Sequence, residues 1–190
     1  MKLNRTIILS FALLVIVAAL YRIIPGRPYG FAPQWAMAVF AGAVIRDRKV
    51  ALIIPVLSML VSDLLYQLLY MNGMSVFPGF YAGQWQNYLL FSLITFVGFA
   101  VKKINLPSIA LASLAAPTLF FLLSNFVVWF GTAGTPQGLG RPRTFAGLIM
   151  CYQDGIPFFT TSLYATLFFS SLLFGAFLLL ARTRTMAVNR

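Results

Sequence analysis

Asp63 lies inside a long apolar run, in a chain of 190 residues whose only other acidic side chains are Asp47 and Asp154. A carboxylate at mid-helix in lipid costs about 2.5–3.5 kcal/mol on insertion scales, so it turns toward a bundle interior, a cavity or a partner. Tyr66, Gln67 and Tyr70 follow at spacings of three, four and seven, offsets that share one helical face. A second face carries Thr118, Phe121, Asn125 and Trp129 at successive offsets of three, four and four. Asn supplies two donors and an acceptor, Trp a donor and a stacking surface, Tyr a hydroxyl and a ring. At 1.5 Å per residue, Asp63 sits about 12 Å and Asn125 about 8 Å from the outer ends of their helices. Two polar-aromatic faces at similar depth suit a pocket for a small, flat, hydrogen-bonding solute.

Each of these residues also has a plainer role. Asp63 can form a structural ion pair with Arg22 or another arginine at that end. Asn125 can hydrogen-bond between helices, and Trp129 and Tyr70 can sit in the aromatic belt at the membrane interface. The segment Cys151-Tyr152-Gln153-Asp154-Gly155-Ile156-Pro157 places Asp154 as an N-cap and Pro157 in the first turn of a helix. Tyr152 and Asp154 can equally close over a pocket as a lid. Arg141 and Arg143 either attract an anionic solute or meet lipid headgroups.

These side chains must be held by membrane helices. The chain is 61% hydrophobic and 9% charged, which excludes an ordinary soluble domain. Its formal charge of +11 comes from short segments between apolar runs, not from one basic surface, so no nucleic-acid partner is expected. With no His and one Cys, an intramolecular disulfide is ruled out. Metal and haem sites built on His or Cys have no material either, and the commonest general base is missing. No cofactor, no metal and no enzymatic activity are expected.

Apolar runs lie near residues 6–24, 33–45, 50–71, 86–101, 106–130 and 157–181, the second taken as a helix over 29–45, and a helical span takes about 20 residues. The second run is short and serves as a span only if it begins near Tyr29 or packs inside the bundle. Counting alternate sides, Lys2, Arg5, Arg46, Arg48, Lys49, Lys102, Lys103, Arg182, Arg184 and Arg190 collect on one face. Arg22, Arg27, Arg141 and Arg143 collect on the other. The asymmetry predicts an all-α bundle of six transmembrane helices with both termini cytoplasmic. The first run is too long for the apolar region of a cleaved signal peptide and is read as a membrane helix. The outer connections, 25–33, 72–85 and 131–156, are the long ones, and Gly131, Gly134, Gly138 and Gly140 punctuate the last. Long loops of this kind often act as lids or binding loops. The pairs Ala38/Gly42 and Ser171/Gly175 and the row Ser108/Ala112/Ala116 are small-residue patterns of close helix contact.

The stretches FAPQWAMAVFAGAVIRDRKVALIIPVLSMLVSDLLYQLLY, LSNFVVW and TFAGLIMCYQDGIPFF resemble an uncharacterised bacterial family of membrane-transport proteins. That family in turn looks like the substrate-binding S components of energy-coupling factor transporters. The resemblance covers most of residues 22–175. It implies six helices in the bacterial inner membrane and a vitamin-like or other micronutrient solute held in the outer half. It also implies a membrane coupling subunit and paired ATPase subunits as partners. Asp63, Asn125, Trp129, Tyr152 and Asp154 fall in the matching segments and are the positions carried over. S components commonly dock through an Ala-x-x-x-Ala-type face on the first helix, and residues 6–24 have no such pair. The full set of candidate solute contacts is Arg22, Asp63, Tyr66, Gln67, Asn125, Trp129, Tyr152 and Asp154. The alternative is an accessory subunit of a larger membrane complex, whose polar stripes pack against a partner around no cavity.

Overall fold

The computed structural model describes residues 5–132 and 140–188. Lys2, Gly134, Gly138 and Arg190 lie outside them. Among the described residues there are six helices and no strand: α1 Arg5–Arg22, α2 Gln34–Val44, α3 Arg48–Met71, α4 Gln84–Phe99, α5 Leu106–Thr132 and α6 Phe145–Val188. Among the described residues, three stretches are long and apolar enough to cross a membrane, Arg48–Met71, Leu106–Gly131 and Phe145–Leu180, with Phe11–Arg22 and Gln34–Val44 as shorter apolar helices. These mark a membrane protein. Large apolar side chains such as Leu64, Leu68, Leu111, Leu172 and Leu179 stand exposed along α3, α5 and α6, as a lipid-facing surface requires.

Local chemistry sets the helix starts. Asp47 caps α3 by accepting from the backbone N–H of Lys49 and Val50 at 2.9 and 3.3 Å. The Asn105 side chain accepts from Ser108 N–H at 3.0 Å ahead of α5, and Thr144 Oγ1 accepts from Gly147 N–H at 3.1 Å at the start of α6. Such caps satisfy N–H groups left over in a first helical turn.

Two boundaries differ from those expected. α6 starts at Phe145 rather than 157 and runs through Pro157, so Asp154 is not an N-cap. Thr144 holds that place, and the missing N–H of Pro157 costs one backbone bond inside a helix whose flanking turns are already formed. α2 begins at Gln34, not near Tyr29, because Pro28, Gly30 (φ 82°) and Pro33 hold the preceding segment out of helix.

α2 is the axis of the bundle. Every residue from Gln34 to Gly42 is buried, and α3, α4, α5 and α6 all pack against it. α2 and α4 approach closely, so that a Cβ on Gly42 would lie 2.9 Å from the Gly98 Cα. The Ala38/Gly42 pattern thus serves internal packing, and its counterpart on α4 is Gly98. Trp35, Phe40, Phe91, Ile94 and Phe174 fill the core around this crossing.

Candidate functional site

α1 ends at Arg22, and its last carbonyls need donors. The Arg22 carbonyl accepts from Tyr66 Oη at 2.8 Å and from Arg27 Nε and Nη2 at 3.2 and 3.0 Å. A cation at a helix C-terminus also meets the negative end of the helix dipole. Arg27 Nη1 donates to the carbonyls of Phe31 and Pro28 at 2.7 and 3.2 Å, so one guanidinium ties the 23–33 connection to α1.

The Arg22 side chain turns the other way. It pairs with Asp63 and donates to Ser62 Oγ at 2.5 Å. Asp63 is 1% exposed, and its second oxygen accepts from Gln84 Nε2 at 2.5 Å and Tyr88 Oη at 2.8 Å. The carboxylate is therefore shared by α1, α3 and α4. A buried charge is tolerated when it is paired and its remaining lone pairs are satisfied, and both conditions hold.

The 72–83 connection is bolted down beside this network. Gln67 Oε1 accepts from the backbone N–H of Gly79 and Phe80 at 3.1 and 3.3 Å, and Gln84 Nε2 donates to the Gly79 carbonyl at 3.0 Å. Gly79 lies so close to α3 that an added Cβ would overlap the Asp63 backbone carbonyl.

A cavity of about 900 Å³ opens at this end of the bundle, within the 300–1,000 Å³ typical of small-molecule sites. Trp35, Phe91, Phe120, Phe121, Phe158 and Phe159 supply aromatic walls, and Arg22, Arg27, Gln34, Asp63, Tyr66 and Asn125 supply polar groups. Exposed Tyr29, Phe77 and Tyr81 stand among its lining residues. Desolvation, reinforced by the Asp63 charge, raises the pKa of the Tyr81 phenol, so that group remains a neutral donor and acceptor at physiological pH. Asn125 donates to the Phe121 carbonyl at 2.8 Å. α6 reaches it through Gly155, where a Cβ would lie 2.7 Å from Asn125 Oδ1.

Of the eight residues singled out from sequence, Arg22, Asp63, Tyr66 and Asn125 line the cavity. The other four support its surroundings. Gln67 clamps the 72–83 connection, and Trp129 Nε1 donates to the Pro142 carbonyl at 3.0 Å. Tyr152 Oη donates to the Leu122 carbonyl at 3.1 Å. Asp154 accepts two bonds from Arg141, at 2.9 and 2.8 Å, and that pairing raises the guanidinium pKa. Among the described residues, no three of His, Cys, Asp and Glu are grouped to hold a metal.

Sequence reasoning passed over Arg27, Gln34, Trp35, Gln84 and Tyr88. Gln84 and Tyr88 are four apart at the head of an apolar run, the same signal that drew attention to α3. Gln34 and Trp35 are both buried, and the Gln34 Oε1 and Trp35 Nε1 atoms have no hydrogen-bond partner among the described residues.

In comparisons with known proteins, a family described as a family of unknown function (DUF6580) matches residues 2–188. No curated protein and no solved structure matches the chain.

Proposed function

Since the chain belongs to this family of unknown function, its activity has to be read from the cavity, and we propose that it is an inner-membrane transport protein that binds a small solute from the outer side. The carrying observation is the aromatic-walled cavity of about 900 Å³ bordered by both Asp63 and Asn125. An accessory subunit whose polar stripes serve only packing would have that space filled. The resemblance to S components supports the same reading and adds a membrane coupling subunit and ATPases as partners. The chain itself carries no Walker A loop, so energy from ATP has to come from such partners.

Two experiments test this. Protein purified from its native host in mild detergent is expected to carry a small solute detectable by untargeted mass spectrometry, and to bring coupling and ATPase subunits with it. Ser124→Trp, which fills the cavity from α5, should reduce solute retention by at least about tenfold, the equivalent of 1.4 kcal/mol. A stable assembly with no solute, no ATPase and no uptake would replace this reading with the accessory-subunit one.

The proposed topology has six spans with both termini cytoplasmic, following the charge asymmetry of the connections. In a Cys151→Ser background, a cysteine at exposed Met74 should react with an impermeant thiol reagent in intact cells, and one at exposed Lys103 should not. The opposite pattern would invert the protein in the membrane.

A further inference from the structure

The charges of the cavity do not cancel. Three charged residues line it, Arg22, Arg27 and Asp63. Arg22 and Asp63 neutralise each other. The chain has three acidic residues in all, and the other two are engaged elsewhere: Asp47 caps α3 and Asp154 pairs with Arg141. Arg27 therefore has no acidic partner among the described residues.

Its geometry is fixed all the same. Four of its five N–H groups meet backbone carbonyls, those of Arg22 (twice), Pro28 and Phe31. Neutral carbonyls orient a guanidinium without cancelling its charge, and one donor remains. A fixed positive group beside low-dielectric walls attracts anions and repels cations.

The rest of the lining defines the body of the solute. Trp35, Phe91 and Phe120 form a cluster with ring centroids 5.2–5.4 Å apart, and Phe121 and Phe159 lie 4.7 Å apart at a tilt of 31°. Such surfaces favour a flat ring.

We infer that the cavity selects a planar aromatic solute carrying a single negative group, and that Arg27 is the residue that reads this charge. The inference rests on the solute-binding reading above and names the class of solute.

Naphthoate, naphthamide and naphthylmethylammonium are matched planar probes that differ in charge. Their binding is measured by equilibrium dialysis against the full chain in nanodiscs of zwitterionic lipid, with Ser124→Trp as the baseline for partition into lipid. Naphthoate is expected to bind most tightly and the ammonium probe least. Loss of a charged hydrogen-bond partner is worth about 10- to 150-fold in affinity, and the anion should lead the cation by at least the lower figure. Arg27→Gln should bring the two close to parity, with naphthoate binding falling by a larger factor than naphthamide binding. Because Arg27 also closes the end of α1, the wild-type charge series stands as a test even if that variant fails to fold. Equal or inverted ranking in wild type would overturn the anion inference and leave the solute cavity standing. No binding above the Ser124→Trp baseline by any probe would overturn both. Loss of naphthoate binding on adding phosphatidylglycerol would assign the Arg27 charge to lipid headgroups and overturn the proposal.

Discussion

Arg22→Met is expected to lower stability by about 3 kcal/mol, the lower end of the range for breaking a buried pair, because it strands Asp63 at 1% exposure with only Gln84 and Tyr88 for support. The lower end applies because the Arg22 side chain keeps 23% of its surface exposed. The double variant Arg22→Met/Asp63→Leu should recover much of the loss, since an apolar pair of similar volume often replaces a buried ion pair without penalty. Melting temperature in detergent reads both effects, and a single variant as stable as wild type would show that the pair does not hold α1 to α3. Asp63→Asn separates structure from binding, because the carboxylate both pairs with Arg22 and lines the cavity. If Asp63 contacts solute, affinity should fall about 10- to 150-fold while folding suffers less. A large stability loss with affinity unchanged in the folded fraction would restrict Asp63 to its structural role.

Gly98→Leu should disrupt the bundle where α2 and α4 cross closely. Even one methyl group at Gly98 would lie 2.9 Å from the Gly42 Cα and would press on the Val39 carbonyl. Both obstacles are backbone and cannot swing aside. Overpacking typically costs about 1–3 kcal/mol and occasionally more, and a leucine against a neighbouring backbone belongs at the upper end. Gly175→Leu is the matched control, since a Cβ there meets nothing within 4 Å. The measured quantity is the yield of monodisperse protein together with its melting temperature. Equal behaviour of the two variants would show that α2 and α4 do not meet as described.

α3 and α5 were legible in the sequence almost to the residue, because each is one apolar run with a polar cap at its start. α6 was not. Asp154 and Pro157 read as helix-start chemistry, whereas Asp154 pairs with Arg141 and Pro157 lies within an established helix. The α3 stripe was correctly placed on one face, but a face is broad. Asp63 and Tyr66 line the cavity, Gln67 turns to the neighbouring connection, and Tyr70 is 47% exposed. Spacing alone cannot divide a helical face this finely. Gln34 and Trp35 escaped notice because periodicity identifies a helix with two unlike sides, and α2 is buried on all sides. The ion pair was foreseeable as one of two roles for Asp63; its sharing with Gln84 and Tyr88 depends on how α4 folds back.

The burial of α2 also bears on how the protein is made. Its 11 residues reach about 16 Å at 1.5 Å per residue, roughly half of a hydrocarbon core about 30 Å thick. Lipid alone offers this segment no stable resting place across the bilayer. Of the helices that enclose it, α3, α4, α5 and α6 all leave the ribosome after it. α2 is thus second in order of synthesis yet depends on the last helix for its final surroundings. The bundle closes around this helix rather than growing outward from it.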